Sequence, residues 1–256
     1  MKKIAIVTGA SAGMGRDFVR ELRNEKEIDE IWMIARREER LKTMTENAPG
    51  KLRAFPLELT QMSSFEILEK QLAAEQPVIQ YLVNAAGAGR MGRIDQIPYQ
   101  DHAFVLDINV RALTCMTCIC LPYMKKGSRI IQLCSGSAFL PQPEFASYAA
   151  SKAYVLSFTR ALRQELKKSG ITVTAVCPGP VKTEFFEAAG SEVAPAKKRF
   201  LVESKDVVRK ALSDAKSGKE LSIYGTSMKL VHLAGKILPT RVVLSVMNGM
   251  MTHKEE

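Results

Sequence analysis

Residues 4–15 read Ile4-Ala5-Ile6-Val7-Thr8-Gly9-Ala10-Ser11-Ala12-Gly13-Met14-Gly15. Four apolar residues make a short buried strand, and a glycine-rich turn follows it at once. Glycines let the backbone turn sharply and approach a phosphate closely. The helix opening at Met14 adds free N–H groups and the positive end of its dipole. The spacing is Gly-x-x-x-Gly-x-Gly rather than G-x-G-x-x-G, and no Lys-Ser/Thr follows the last glycine, which argues against a triphosphate loop. A glycine turn can also be purely structural. Its place directly after the first strand is what favours an anion-binding role.

Outward from this turn, short β-branched runs alternate with longer amphipathic ones. Strands are expected at 4–7, 31–34, 52–55, 79–83, 129–133, 171–176 and 221–224. Helices are expected at 14–24, 38–45, 63–73, 107–124, 147–168 and 205–215. Near-continuous Val/Ile/Leu strands alternating with helices imply a parallel sheet covered on both faces. The predicted fold is α/β: a single doubly wound, Rossmann-type domain with about seven parallel strands and helices on both faces. Polar signals fall at the carboxyl ends of the strands, where such sheets bind ligands: Thr8-Gly9, Arg36, Glu58, Asn84, Ser135 and Pro178-Gly179.

The chain has 256 residues, 46% hydrophobic and 25% charged, ordinary for a soluble globular protein. No apolar run reads as a bilayer span, and Thr8-Gly9 interrupts the first one, so no signal peptide is expected and the expected compartment is cytoplasmic. The five cysteines, Cys115, Cys118, Cys120, Cys134 and Cys177, are expected as reduced thiols. The cluster at 115–120 reads as small buried thiols on a helix rather than as metal ligands, and no metal is expected. His102, His232 and His253 have no mutual ligand spacing. A net charge of +10 raises nucleic-acid binding, but the basic residues are scattered and no recognition motif is present. No nucleic-acid partner is expected.

The second strand ends in Arg36-Arg37. An acidic residue there holds a ribose 2′-hydroxyl, whereas arginine suits a 2′-phosphate, so the pair favours NADP(H) over NAD(H). Two solvated arginines at a helix start are the plainer alternative. Glu38 and Glu39 come late for the ribose and suit the helix N-terminus.

Tyr148 and Lys152 are four apart on an expected helix, so both side chains share a face. A free tyrosine, with a pKa of about 10, is a poor acid or base at neutral pH. A neighbouring ammonium within reach of the phenol oxygen favours the phenolate and lowers that value. By spacing alone, an exposed helix face explains the pair equally.

Together these residues resemble the short-chain dehydrogenase/reductase family in its classical type. The resemblance rests on Thr8, Gly9, Gly13 and Gly15; on Asn84-Ala85-Ala86-Gly87; on Asn109; on Ser135 before Tyr148-x-x-x-Lys152; and on Pro178-Gly179-Pro180-Val181-Lys182-Thr183. It covers residues 3–185, with weaker agreement to the strand near Leu221. It implies a catalytic set of Asn109, Ser135, Tyr148 and Lys152. It implies cofactor contacts at Thr8, Gly9, Ser11, Gly13, Met14, Gly15, Arg36, Arg37, Glu58, Leu59, Asn84, Ala85, Gly87, Tyr148, Lys152, Pro178, Gly179, Val181 and Thr183. The implied reaction is hydride transfer between a nicotinamide and a carbonyl or alcohol, with Tyr148 moving the proton. Ser135 would bond the substrate oxygen, with Ser137 a nearby alternative. Lys152 would bond the nicotinamide ribose, and Asn109 would hold a water. Glu58-Leu59-Thr60 departs from the family's Asp-x-Thr.

The implied layout is a catalytic domain at 1–224 with a substrate flap at 183–203, where Phe185, Phe186 and Phe200 line an apolar pocket and Lys197, Lys198 and Arg199 meet an anionic tail. Phe139, Leu140 and Phe145 form the other wall. Residues 225–256 make a basic, apolar extension for the domain surface, a partner subunit or a membrane surface. The expected substrate is a mostly apolar carbonyl or alcohol (ketoacyl, steroid-like or aromatic), and the expected assembly is a homodimer or homotetramer through 107–124 and 147–168. A cofactor-sensing protein without catalysis, or a peripheral membrane protein, is the alternative on the same fold.

Overall fold

A computed structural model describes residues 1–190 and 201–245. Strand β1 (Lys3–Thr8) explains the architecture at small scale, because everything in it after Lys3 is buried. Ala5 and Val7 pack with Phe18, Val19 and Leu22 of α1 (Gly13–Leu22) on one face. Ile4 and Ile6 pack with Leu68 and Leu72 of α3 (Met62–Glu75) on the other. Successive side chains of a strand point to opposite faces, so an unbroken apolar run needs a core on each side. Burying a side chain such as that of Phe18 contributes about 1.5–3 kcal/mol.

The remaining strands of the main sheet are β2 (Glu30–Ala35), β3 (Leu52–Pro56), β4 (Val78–Asn84), β5 (Arg129–Leu133), β6 (Thr172–Val176) and, last in sequence, β9 (Leu221–Ser222). Their order is β3-β2-β1-β4-β5-β6-β9, and every neighbouring pair is parallel. The order reverses between β1 and β4, which opens a crevice beyond their carboxyl ends. Residues from α1, α2 (Glu38–Glu46) and α8 (Ser204–Lys216) fill the first core. Residues from α3, α5 (Ala112–Cys120) and the end of α6 (Ala146–Glu165) fill the second. The doubly wound, seven-stranded expectation therefore holds. Two short strands escaped the sequence reading: β7 (Val181–Lys182) and β8 (Val202–Glu203) pair outside the main sheet. Two-residue strands have no periodicity to detect.

The helix expected from residue 107 begins earlier. Pro98 caps α4 (Tyr99–Leu106), and a π-turn, Asp107–Arg111, joins it to α5. The helical stretch Tyr99–Tyr123 has 25 residues and is long and apolar enough, by length and composition, to cross a bilayer. That overturns the expectation that no run is so apolar; a helix started at residue 107 leaves out Tyr99–Leu106, the first part of the stretch. In the fold this stretch lies on the sheet, burying Val105, Ile108, Ala112, Met116 and Cys120. The helix also spreads the cysteine cluster: Cys120 is buried, Cys115 half-buried and Cys118 exposed, so only one of the three is the core thiol expected.

Beyond β9, α9 (Thr226–Ile237) lies against the short turn at Gly136–Phe139. Met228 sits over Gly136 and Gly179, where a side chain would have to displace it, and the His232 ring packs tilted against Phe139 with centroids 4.4 Å apart. Leu230, Leu233 and Ile237 face outward and are exposed. Lys197, Lys198, Arg199 and Phe200, and the apolar residues from Val246 together with His253, lie outside the described residues.

Candidate active site

One cleft of about 760 Å³ opens at the carboxyl ends of the strands. It gathers Gly9, Ser11, Gly13, Met14, Gly15, Arg36, Arg37, Glu58, Leu59, Ala85, Gly87, Ser135, Tyr148, Lys152, Pro178, Gly179, Val181 and Thr183, residues dispersed over most of the sequence. Thr8, Asn84 and Asn109 stand behind its wall and do not line it.

The glycine turn is shaped by close backbone contact. Gly9 has φ +66°, and a Cβ there would lie 2.9 Å from the Ala85 carbonyl and the Ala86 Cα. Gly15 packs directly on the Gly9 carbonyl. Thr8 locks this meeting of β1 and β4: its Oγ1 accepts from the Ala85 and Ala86 N–H groups, both at 3.0 Å. Its hydroxyl is thus a brace between the two strands, and Thr8 is buried. Asn84 likewise turns inward, its Nδ2 donating to Gln132 Oε1 at 2.9 Å and Thr117 Oγ1 at 3.1 Å. Both side chains sit where a strand end meets a core, so Thr8 Oγ1 and Asn84 Nδ2 bond within the protein, while Asn84 Oδ1 is buried without a partner. The uncovered amides at the start of α1 remain for a phosphate, and the tight glycine cradle fits one.

The two arginines separate. Arg36 pairs with Glu58 (3.4 Å) and lies over the Phe104 ring at 5.6 Å. Arg37 donates from Nε to Ser11 Oγ (3.3 Å) and from Nη1 to Glu184 (3.0 Å). Glu58 also accepts from the Thr60 N–H at 3.2 Å, holding the turn after β3. β2 and β5 stand three strand spacings apart, about 14 Å. Guanidinia at the β2 end and the phenol near the β5 end therefore frame an elongated ligand, which fits a dinucleotide.

At the β5 end, Ser135 and Tyr148 line the same part of the cleft. Burial pushes the phenol above its ordinary range, and the neighbouring Ser135 hydroxyl pulls the other way. Lys152 is buried too, and loss of hydration lowers its ammonium to about 8. Its Nζ donates to the Leu133 carbonyl at 2.8 Å and lies 5.6 Å from the Tyr148 ring centre. The four-residue spacing does place both on one face. The amine, however, bonds a strand-end carbonyl rather than the phenol oxygen, because the carboxyl end of β5 lies under α6. Asn109, in the π-turn, donates to the Ala88 carbonyl and Ser151 Oγ and accepts from the Ala88 N–H, all at 2.9 Å. A Cβ on Gly87 would lie 3.1 Å from Asn109 Oδ1 and 3.5 Å from Lys152 Nζ, so the two polar atoms flank one backbone atom.

A match to the short chain dehydrogenase family spans residues 3–194. This chain belongs to the short-chain dehydrogenase/reductase family, a family of oxidoreductases. Among curated relatives, an uncharacterized oxidoreductase of Staphylococcus epidermidis is 29% identical over 83% of this chain and 91% of its own. A short chain dehydrogenase of Pseudocercospora fijiensis is 33% identical over 71% of this chain and 60% of its own. Among solved structures, a short-chain dehydrogenase from Sphingobium yanoikuyae in complex with NADPH superposes with a TM-score of 0.78. It is 24% identical, and 96% of each chain is covered.

Glu184, Met228 and Val231 line this dehydrogenase's cleft without having been legible in its sequence, whereas Leu140, Phe145, Phe185 and Phe186 were expected there. Glu184 and Arg40 complete the Arg37 cluster, with Arg40 Nη1 at 2.8 Å from Glu184 Oε1. The Arg37–Arg40 spacing of three on a helix is a usable signal; Glu184 has none, since it comes from a distant loop. Phe145, expected as pocket wall, stacks on Tyr148 at 4.3 Å, and Phe185 lies against the same ring at 5.3 Å. Phe186, Leu140 and, from α9, Met228 and Val231 also line the cleft.

Proposed function

We propose that this dehydrogenase interconverts a carbonyl and an alcohol with NADP(H), on a mostly apolar substrate. The observation carrying the reading is the convergence of Ser135, Tyr148 and Lys152 on one cleft, with the Lys152 amine held by the Leu133 carbonyl 5.6 Å from the centre of the Tyr148 ring. A bound nicotinamide supplies or accepts hydride. Gly9 to Gly15 and the α1 amides would hold its phosphates, Arg37 and Ser11 its 2′-phosphate, and Lys152 its nearer ribose. A solved relative of the fold binds NADPH and another, from Burkholderia phymatum, binds NAD, so the preference rests on Arg37.

The chain's own groups manage the proton. Ser135 orients the substrate oxygen toward the Tyr148 hydroxyl, which holds the proton at Oη and gives it up as charge develops on that oxygen. Burial keeps the phenol protonated until then, which suits the reductive direction. Lys152, with a value of about 8, is mostly charged at neutral pH and favours the transient phenolate from beneath the ring. Asn109 anchors the loop carrying Gly87, and the second lone pair of its Oδ1 can accept from a water near Lys152. Phe145, Phe185 and Met91 make an apolar cluster around Tyr148, which supports a ketone with aromatic or aliphatic bulk. The exposed Tyr154 ring on α6 stacks at 5.7 Å on the half-buried Phe158 and supports assembly of copies through that helix.

The test is NADPH and NADH oxidation across bulky aromatic, aliphatic and small polar carbonyls. Turnover of bulky ketones with a lower KM for NADPH is expected. Turnover confined to small sugars, or equal use of both cofactors, would overturn the substrate and cofactor readings respectively.

A further inference from the structure

Glu184 occupies the guanidinium cluster assigned above to the 2′-phosphate. Its Oε2 accepts from Arg37 at 3.0 Å, and Oε1 and Oε2 accept from Arg40 at 2.8 and 3.0 Å. Arg37 and Arg40 lie one turn apart at the start of α2, and Arg37 is also held by Ser11 of the glycine turn. The two cations hold the Glu184 carboxyl below the usual carboxylate range. Carboxylate and phosphate are the two anions that a guanidinium fork fits best, so both suit the same donors.

Charge decides what happens when both are present. Two guanidinia and one carboxylate leave one net positive charge. A phosphate monoester adds roughly −1.5 to −2 at neutral pH. With Glu184 still in place the cluster becomes net negative and the two anions repel. A 2′-hydroxyl brings no charge and leaves the ion pairs undisturbed.

Glu184 also sits at a mechanical junction. It caps α7 (Phe185–Ala188), and its carbonyl accepts the Ala188 N–H at 3.0 Å. The next residue, Phe185, packs on Tyr148. One side chain therefore ties the flap to α2 while its neighbour covers the phenol.

We propose that Glu184 is a built-in competitor for the 2′-phosphate, holding Arg37 and Arg40 until a phosphate displaces it and frees the root of the flap from α2. Arg40 is on this view a third phosphate-binding residue. The inference rests on the NADP(H) reading, and it makes Glu184 a determinant of cofactor discrimination.

Calorimetric titration with 2′,5′-ADP, and with 5′-AMP as the analogue lacking the 2′-phosphate, tests it on wild type, Glu184→Gln and Arg40→Ala. Glu184→Gln is expected to bind 2′,5′-ADP about two- to thirtyfold more tightly, the range that two exposed ion pairs span, and 5′-AMP within about twofold of wild type. Arg40→Ala is expected to weaken 2′,5′-ADP alone. Hydrogen exchange at the Ala188 and Ala189 amides should speed up on saturating wild type with 2′,5′-ADP, and should be fast in Glu184→Gln without ligand. If wild type prefers 2′,5′-ADP but Glu184→Gln binds it no tighter, the competitor role fails while the NADP(H) reading stands. Unchanged exchange overturns the release of the flap. If wild type binds 2′,5′-ADP no tighter than 5′-AMP, both readings fall.

Discussion

Asn109 and Ala88 hold each other through two 2.9 Å hydrogen bonds, amide oxygen to N–H and amide nitrogen to carbonyl. The pair fastens the π-turn to the loop after β4, and Asn109 is 1% exposed. A buried backbone group left without its partner costs about 1–3 kcal/mol. Asn109→Ala is therefore expected to lower unfolding free energy by roughly that amount. Urea denaturation reads it, and unchanged stability would show that water replaces the amide without loss.

Tyr148→Phe removes the phenol oxygen to which the proposed mechanism assigns the proton. Turnover should fall by about 10²–10⁴-fold. Cofactor affinity by fluorescence titration should stay within about threefold, since the ring and its stacking on Phe145 remain. Retained turnover would mean another group handles the proton.

Gly87 separates Asn109 Oδ1 from Lys152 Nζ, and an added Cβ would be tight at 3.1 Å against the buried amide. Gly87→Ala is expected to move the loop or the amine and reduce kcat by up to about 100-fold, the cost of a misplaced group near the chemistry. Steady-state kinetics with intact thermal stability would locate the defect in the site. A kcat equal to wild type would show slack there.

Lys152 carries a pH signature. Its folded value is about 8 against 10.5 for the ordinary side chain, so burial penalises the charged form. Below pH 8 both folded and unfolded states bind the proton and the penalty is complete. Between pH 8 and 10.5 the unfolded chain binds more protons, so stability from this group rises with pH, by on the order of 3 kcal/mol in full. Guanidinium denaturation at pH 7.5, 8.5 and 9.5 should show wild type gaining stability relative to Lys152→Met as pH rises, because the fall caused by the raised thiols of Cys115, Cys120 and Cys177 above their ordinary value is common to both proteins. Staying below pH 10 avoids the opposite effect of Tyr148, whose raised value makes stability fall once the unfolded phenol ionises. Parallel slopes in the two proteins would refute the assignment.

The parallel sheet covered on both faces and the clustering of polar residues at strand ends were legible because they follow from short-range patterns, whereas the strand order was not. A period of two or 3.6, a glycine turn after a strand, and a Tyr and Lys four apart depend only on neighbours in the chain. The orientation of Thr8 and Asn84 did not follow, since each lies at a strand end where either the cleft or the core can take a polar side chain. The register of β1 against β4 sent both inward. The start of α4 was hidden because its first turn is polar and partly exposed, so its apolar stripe shows only from Val105 onward.

The sequence by itself determined a doubly wound sheet with a glycine cradle, a pair of arginines and a Tyr–Lys helix face. Only the tertiary structure decided that Lys152 bonds Leu133, that Phe145 and Phe185 close around Tyr148, and that Glu184 reaches Arg37 and Arg40 across more than 140 positions of chain. Periodicity encodes which face of an element is buried. Which distant loop meets that face is set by packing the whole chain, where exposed charges and rings choose partners that no local pattern specifies.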